Sequence, residues 1–300
     1  MNPTPKGWPR ISAGVYYQDA HQAIAWLCEA FGFEVRLQVE GEGGRVEHSE
    51  LTYAGGLIMV GEPRDRSFLA APPDVGGANT QNLFAYVDDI AAHCARARAA
   101  GAEIIGELRD SDYGEDYWAD RSYECRDPGG HRWWFAERIR TGANLAPKLD
   151  AGDIQGVRPP KGWPRLSSAL YYADPARAID WLCEALGFEI QVKVEGEAGA
   201  IVHSELVYGG GLIMVSDEAR DDEKWPHRRS PRALGGRGTQ YCLMHVDDVV
   251  AACERARAAG ATITDEPKVS DYGEDYWADL ACGVEDVGGH RWWLVQRLRG

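Results

Sequence analysis

A chain of 300 residues with 35 Gly, 15 Pro, 44% apolar and 26% charged residues has a globular composition and room for about two domains of roughly 150 residues, which excludes a fibre or a disordered tail. The formal charge of −15 is spread evenly, −8 over 1–150 (15 basic, 23 acidic) and −7 over 151–300 (17 basic, 24 acidic), so neither half offers the basic stripe that nucleic acid requires. Seven scattered cysteines without a C-x-x-C point to reduced thiols in a cytoplasmic protein, and neither a signal-peptide core in MNPTPKGWPR nor an apolar run near the ~20 residues of a membrane span is present.

The chain repeats itself. PKGWPR at 5–10 returns at 160–165, WLCEAFGFE at 26–34 returns as WLCEALGFE at 181–189, and GLIMV at 56–60 returns at 211–215, all at an offset of 155. SDYGEDYWAD at 111–120 and GGHRWW at 129–134 return at an offset of 159, which places a four-residue insertion within 216–238. A period this long describes two domains, 1–140 and 161–300, joined by a Pro/Gly-bearing linker at 141–160.

Within one copy, RISAGVYY (10–17) alternates as a strand. Asp19 can then cap a helix carrying Ile24, Leu27, Cys28 and Phe31 on one face until Gly32 ends it, and in the second copy Pro175 follows the capping Asp174 at the first helical position. EVRLQVEGE, GRVEHSELTYAG and GLIMVGE read as three strands with Gly-rich turns. The β-α-β-β-β order then recurs: NLFAYVDD is a strand, Ile90, Cys94 and Ala97 mark a helix stopped by Gly101, and AEIIGEL, DRSYECRD and HRWWFAE are strands. The chain therefore contains four βαβββ modules.

With its paired modules, the helix ending in AFGF or ALGF, the VDD strand end and the closing DPGGHRWWF, the chain resembles the vicinal oxygen chelate superfamily, which includes glyoxalase I, extradiol dioxygenases and bleomycin-resistance proteins. The resemblance covers most of the chain. It implies an α+β protein whose modules curl into two incomplete eight-stranded barrels, a fused pseudo-dimer in which modules from opposite halves can share a cleft. Metal-dependent relatives take ligands from the first and last strands of each module. Those positions fall here on Ser12, Met59, Asn82 and Trp134, and on Ser167, Met214, Tyr241 and Trp293. None is the imidazole or carboxylate that a hard or borderline divalent ion prefers, so no metal and no cofactor is expected.

Three groups of residues could carry function instead. Alternation turns Trp134 and Trp293 inward, where an indole can stack on a ligand ring, while Trp133 and Trp292 face the core; a core role for all four indoles is equally open. In VEHSEL and VHSEL, His48 with Glu50 and His203 with Glu205 share a strand face directed into the concavity, the minimum for acid–base chemistry, and also the composition of a structural polar pair. DYGEDYWAD, present twice, reads as a loop at the cleft rim, where Tyr113, Tyr117 and Trp118, and likewise Tyr272, Tyr276 and Trp277, either meet a ligand or seal the barrel end. Tyr16 and Tyr171 on the first strands complete the candidate lining. Arg121, which becomes Leu280 in the second copy, is a candidate anchor in one site only, and 221–232 is a candidate lid.

The expected function is metal-independent binding of an aromatic or cationic small molecule such as an antibiotic or metabolite. The alternative is a metal-independent isomerase, lyase or cyclase using a His–Glu pair, and a metal-dependent lyase or dioxygenase ranks third. The partner is a small molecule, with no nucleic acid and no membrane, and the chain is expected as a monomeric pseudo-dimer or a homodimer.

Overall fold

A computed structural model describes residues 1–63, 68–115, 118–141, 163–218, 225–274 and 276–300. The expected linker 141–160 lies almost wholly outside the described residues. Module one is β1 (Ile11–Tyr16), α1 (Ala20–Phe31), β2 (Glu34–Glu40), β3 (Val46–Tyr53) and β4 (Gly56–Gly61); module two is β5 (Gln81–Tyr86), α2 (Ile90–Ala99), β6 (Glu103–Asp112), β7 (Ala119–Arg126) and β8 (Arg132–Arg140). Module three is β9 (Leu166–Tyr172), α3 (Pro175–Trp181, continued by a π turn over Leu182–Leu186), β10 (Glu189–Glu195), β11 (Ile201–Tyr208) and β12 (Gly211–Asp217). Module four is β13 (Gln240–His245), α4 (Val249–Ala258), β14 (Thr262–Asp271), β15 (Ala278–Glu285) and β16 (Arg291–Arg299).

Each helix starts on an aspartate whose carboxylate accepts from the backbone N–H three residues on, Asp19 from Gln22 at 2.9 Å and Asp174 from Arg177 at 3.1 Å, satisfying one of the donors a helix start leaves open. α1 ends at Gly32 in the left-handed conformation (φ 80°), which glycine adopts without steric cost. The DYGEDYWAD segment is less of a loop than its charge suggests. β6 runs on to Asp112 and β7 begins at Ala119, leaving a hairpin tip in which Asp112 accepts from the Gly114 N–H at 2.8 Å. Antiparallel pairing over seven residue pairs outweighs the poor strand propensity of Asp and Ser here.

The strands form two eight-stranded sheets, ordered β14-β15-β16-β13-β1-β4-β3-β2 and β10-β11-β12-β9-β5-β8-β7-β6. Both curl without closing. Each sheet unites one module from each half of the chain through an antiparallel seam, β1 with β13 and β5 with β9. The helices obey the opposite division: α1 and α2 share one apolar core with Leu27, Phe31, Trp133 and Phe135, while the π turn after α3 and α4 share a second with Leu182, Leu186, Trp292 and Leu294. Each half thus owns a core and lends its strands to two sheets.

Equivalent residues meet across the seam, as in an isologous dimer. The Thr80 and Thr239 hydroxyls lie 3.1 Å apart and each accepts from the other's backbone N–H. A Cβ on Gly56 would stand 2.6 Å from Leu166, and one on its counterpart Gly211 would stand 2.6 Å from Ile11, so glycine is required for the strands to approach. The seven cysteines are free thiols, and no helix among the described residues is long and apolar enough to cross a membrane.

Candidate functional site

The concave face of the first sheet holds a cavity of ≈ 570 Å³ to which both halves contribute. The first half supplies Trp8, Leu37, Val39, His48 and Met59. From the second come Tyr241, Leu243, His245, Trp293, Arg297 and the β14–β15 tip residues Tyr272, Tyr276 and Trp277. A recess of ≈ 200 Å³ shares His48, Met59, Tyr241 and Trp293 with it and is bordered by Tyr16. Strand alternation explains the set: Tyr241 is registered with Gly14 across the seam, Gly14 with Met59 on the other side, and Leu243 with Trp293.

Gly14 is a residue that sequence reasoning missed. The Tyr241 ring lies over it, and a Cβ at that position would stand 2.1 Å from ring atoms. The Tyr241 hydroxyl reaches the Met59 sulfur at 3.3 Å, and burial holds that hydroxyl above the ordinary phenol range. In the second sheet the same pair is Ala169 opposite Asn82, so the repeat itself contained the signal: where one copy gains a large ring, its neighbour loses a side chain.

His48 lines the cavity with its Nε2 3.1 Å from Glu50 Oε1. Glu50 is 1% exposed behind it, with the Arg36 guanidinium 3.4 Å from its second oxygen. His203 and Glu205 repeat the contact at 2.9 Å, but Gln191 takes the place of Arg36 and donates to Glu205 at 2.8 Å. The imidazole thus faces the opening and the carboxylate backs it.

At the rim, Trp277 from the second half lies 6.5 Å from the His48 ring, with Tyr272 and Tyr276 packed around it at 5.2 and 6.0 Å. Arg297 donates through Nε to Asp279 at 2.5 Å and sits 5.3 Å over Trp277. Burial raises the Asp279 carboxyl above its usual range, and Arg297 and the Trp277 indole pull it back down. His245 is 3% exposed and neither ring nitrogen has a hydrogen bond of ordinary geometry, while Trp8 meets the ring edge-on at 5.4 Å. Burial, Arg297 and Arg10 together push the His245 pKa down to about 4, only partly offset by the Val295 backbone, so the ring is neutral at neutral pH.

On the equivalent face of the second sheet the chain carries larger side chains at two positions. Phe84 and Tyr86 stand where Leu243 and His245 stand in the first, and they pack with Trp163 at centroid distances of 5.0 to 5.4 Å, with Met214 beside them. Trp134 is covered by Arg109 at 5.7 Å. Trp118 is buried against Tyr113, at 5.3 Å, and His203, at 5.8 Å.

The structure therefore gathers Tyr16, His48, Met59, Tyr241, Tyr272, Tyr276, Trp277 and Trp293 at one cavity. Asn82, Tyr113, Trp118, Trp134, Tyr171, His203 and Met214 belong to the second sheet's side of the molecule. Arg121 points away from both, pairing with Asp110 at 2.6 Å on the exposed surface. Tyr117 lies outside the described residues, as do residues 221–224 of the candidate lid. The rest of that segment packs on the second sheet, with Arg228 5.2 Å over Tyr171. Trp133 and Trp292 are core residues whose indole N–H groups donate to Asp127 and Asp286, both at 2.9 Å.

The positions at which metal-dependent relatives carry ligands are regrouped by the shared sheets. Ser12, Met59, Tyr241 and Trp293 fall on the first, and Ser167, Met214, Asn82 and Trp134 on the second. Hydroxyl, thioether, phenol, amide and indole groups do not fit a divalent ion, and among the described residues no three His, Cys, Asp or Glu side chains converge in a cluster that could hold one.

Comparison with known proteins agrees with this architecture. Residues 11–135 and 166–294 match the model of the Glyoxalase/Bleomycin resistance protein/Dioxygenase superfamily. Among solved structures, glyoxalase I from Zea mays aligns at a TM-score of 0.61 with 12% identity, covering 97% of this chain and 92% of that one. A putative dioxygenase from Bacillus subtilis aligns at 0.56 with 12% identity, covering 99% and 87%. At these identities the likeness concerns fold alone. In sequence, the uncharacterized proteins Mb0911c of Mycobacterium bovis and Rv0887c of Mycobacterium tuberculosis are each 32% identical over 136 residues, 45% of this chain and 85% and 76% of theirs. With both halves matched and two module pairs sharing curled sheets, the chain belongs to the glyoxalase/bleomycin resistance protein/dioxygenase superfamily.

Proposed function

We propose that the protein binds a small aromatic molecule in the first-sheet cavity, between Trp293 on its floor and the Trp277, Tyr272 and Tyr276 rim, and that a single cavity per chain serves this purpose. An antibiotic or metabolite bearing an aromatic ring is in this class, and sequestration requires no chemistry. One observation carries the reading: the concave face of the first sheet keeps ≈ 570 Å³ open among aromatic walls, where Leu243 and His245 stand in place of the bulkier Phe84 and Tyr86 of the second sheet. The test is titration with N-phenyl-1-naphthylamine, a neutral aromatic probe whose fluorescence rises in apolar surroundings. One equivalent per chain is expected to bind. Trp293→Ala should weaken binding by about tenfold, as expected for loss of a stacking partner, and Trp134→Ala should leave it unchanged. Equal effects of the two substitutions would refute the assignment.

The His48–Glu50 contact supports a second reading, acid–base turnover of the bound compound. With Nε2 directed at the buried carboxylate, Nδ1 is the nitrogen left for a ligand proton. His48→Gln should then abolish turnover of a compound while keeping its affinity within about threefold. Retention of turnover would reject this role.

A further inference from the structure

The binding reading can be taken one step further, because the second sheet contains what the first one lacks. Tyr86 and His245 occupy the same place in the two sheets: their backbone N–H groups donate to Arg165 at 3.1 Å and to Arg10 at 3.0 Å, and they are registered with Ala136 and Val295. The Tyr86 ring lies between Phe84 and Trp163, and its hydroxyl is 3.1 Å from Asp120 Oδ2 and accepts from Arg138, whose Nε donates to Asp120 at 2.5 Å. A phenol is thus held there by an Asp–Arg pair at its oxygen and by aromatic walls at its ring.

The first sheet keeps the receptor and omits the phenol. Arg297 and Asp279 form the same pair at 2.5 Å and both line the cavity, and Trp8 stands in the place of Trp163. The shorter His245 and Leu243 replace Tyr86 and Phe84, and apart from Asp279, Arg297 makes no hydrogen bond among the described residues. We infer that the occupant of this cavity is a phenol or other hydroxylated arene, whose oxygen takes the position that the Tyr86 hydroxyl holds in the second sheet, donating to Asp279 and accepting from Arg297. Beside it, the buried His245 ring, whose nitrogens make no hydrogen bond of ordinary geometry, offers a nitrogen to a further polar group on the same ring system. A plain hydrocarbon leaves the ion pair unsolvated, and a carboxylate meets the repulsion of Asp279.

This assignment rests on the proposed binding role, and the experiment separates the two. The probes are p-cresol, which is the tyrosine side chain itself, and toluene, which is the same molecule without the hydroxyl. Calorimetric titration of the unmodified protein should give one p-cresol site per chain, at least about tenfold tighter than toluene, as expected for a hydrogen bond to charged groups. His245→Tyr, which restores the missing ring, should abolish p-cresol binding. If N-phenyl-1-naphthylamine binds in the cavity but p-cresol is no better than toluene, the hydroxyl assignment is overturned and the cavity reading stands. If neither the naphthylamine nor p-cresol binds, both are overturned. The comparison of the two small probes needs no variant, so it decides even if His245→Tyr fails to fold.

Discussion

Gly14 and Tyr241 set the floor of the cavity together, each from a different half of the chain. Adding one methyl at Gly14 forces the Tyr241 ring off the strand, because 2.1 Å is far inside van der Waals contact. Gly14→Ala is expected to cost about 1–3 kcal/mol in urea unfolding and to weaken probe binding as the displaced ring enters the cavity. The mirror substitution Ala169→Gly, opposite Asn82, should cost only ~0.5–1 kcal/mol and leave binding unchanged. Residue-scale features of this kind were partly legible. The inward face of Trp293 and the buried face of Trp292 follow from alternation alone, as does the pairing of His48 with Glu50. Arg36 behind Glu50 and the burial of His245 were not legible, since each depends on a neighbour brought in by tertiary packing.

Among the elements, the helices were the most legible, because their starts are encoded locally. Asp89 and Asp248 accept from Ala92 and Ala251, both at 2.9 Å. Either aspartate replaced by alanine should lose about 1 kcal/mol, and the double variant about twice that, since the two helices lie in separate cores. Thermal unfolding of the three variants checks the sum, and a non-additive result would show that the two cores are coupled. The hairpins were less legible. Charge in SDYGEDYWAD suggested a loop, but cross-strand pairing carries the strand to Asp112 and Asp271, and the extra length places Tyr272 at the cavity.

At the scale of the whole molecule, the strands of the two halves are interdependent. Residues 1–141 alone keep α1, α2 and their core but leave β1 and β5 as unpaired edges in place of the β13 and β9 seams. Expressed alone, this half should elute as a dimer or aggregate in size-exclusion chromatography, and a stable monomer would contradict the role of the seam.

The fold also carries an acid-sensitive set of histidines. Burial, aided by Arg96, pushes the His93 pKa down to about 4, and burial lowers His131 and His290 as well. These rings are more easily protonated when unfolded, so their stabilising effect is complete above the ordinary histidine value of about 6.5. It is lost as pH falls from there toward about 4, with His93 alone accounting for on the order of 3 kcal/mol. Asp120 and Asp279, whose carboxyls are raised by burial, act with the opposite sign nearer the carboxylate range. The urea midpoint should be flat between about pH 7 and 8, below the range in which the buried thiols, raised by burial, come into play, and fall steadily between pH 6.5 and 4. His93→Gln should make that fall shallower, and an unchanged slope would exclude His93 as a contributor.

The sequence by itself determined the four modules, their caps, the core-facing residues and the family, since all of these rest on local periodicity and on repetition along the chain. Which modules share a sheet was decided only in three dimensions, because β5 and β13 are equivalent strands of the repeat and local pattern does not tell β1 which of them to pair with. The same is true of the shape of the first-sheet cavity. That follows from the volumes of side chains contributed by opposite halves, Leu243 and His245 against Phe84 and Tyr86, and such volumes acquire meaning only once the seam has brought their neighbours together.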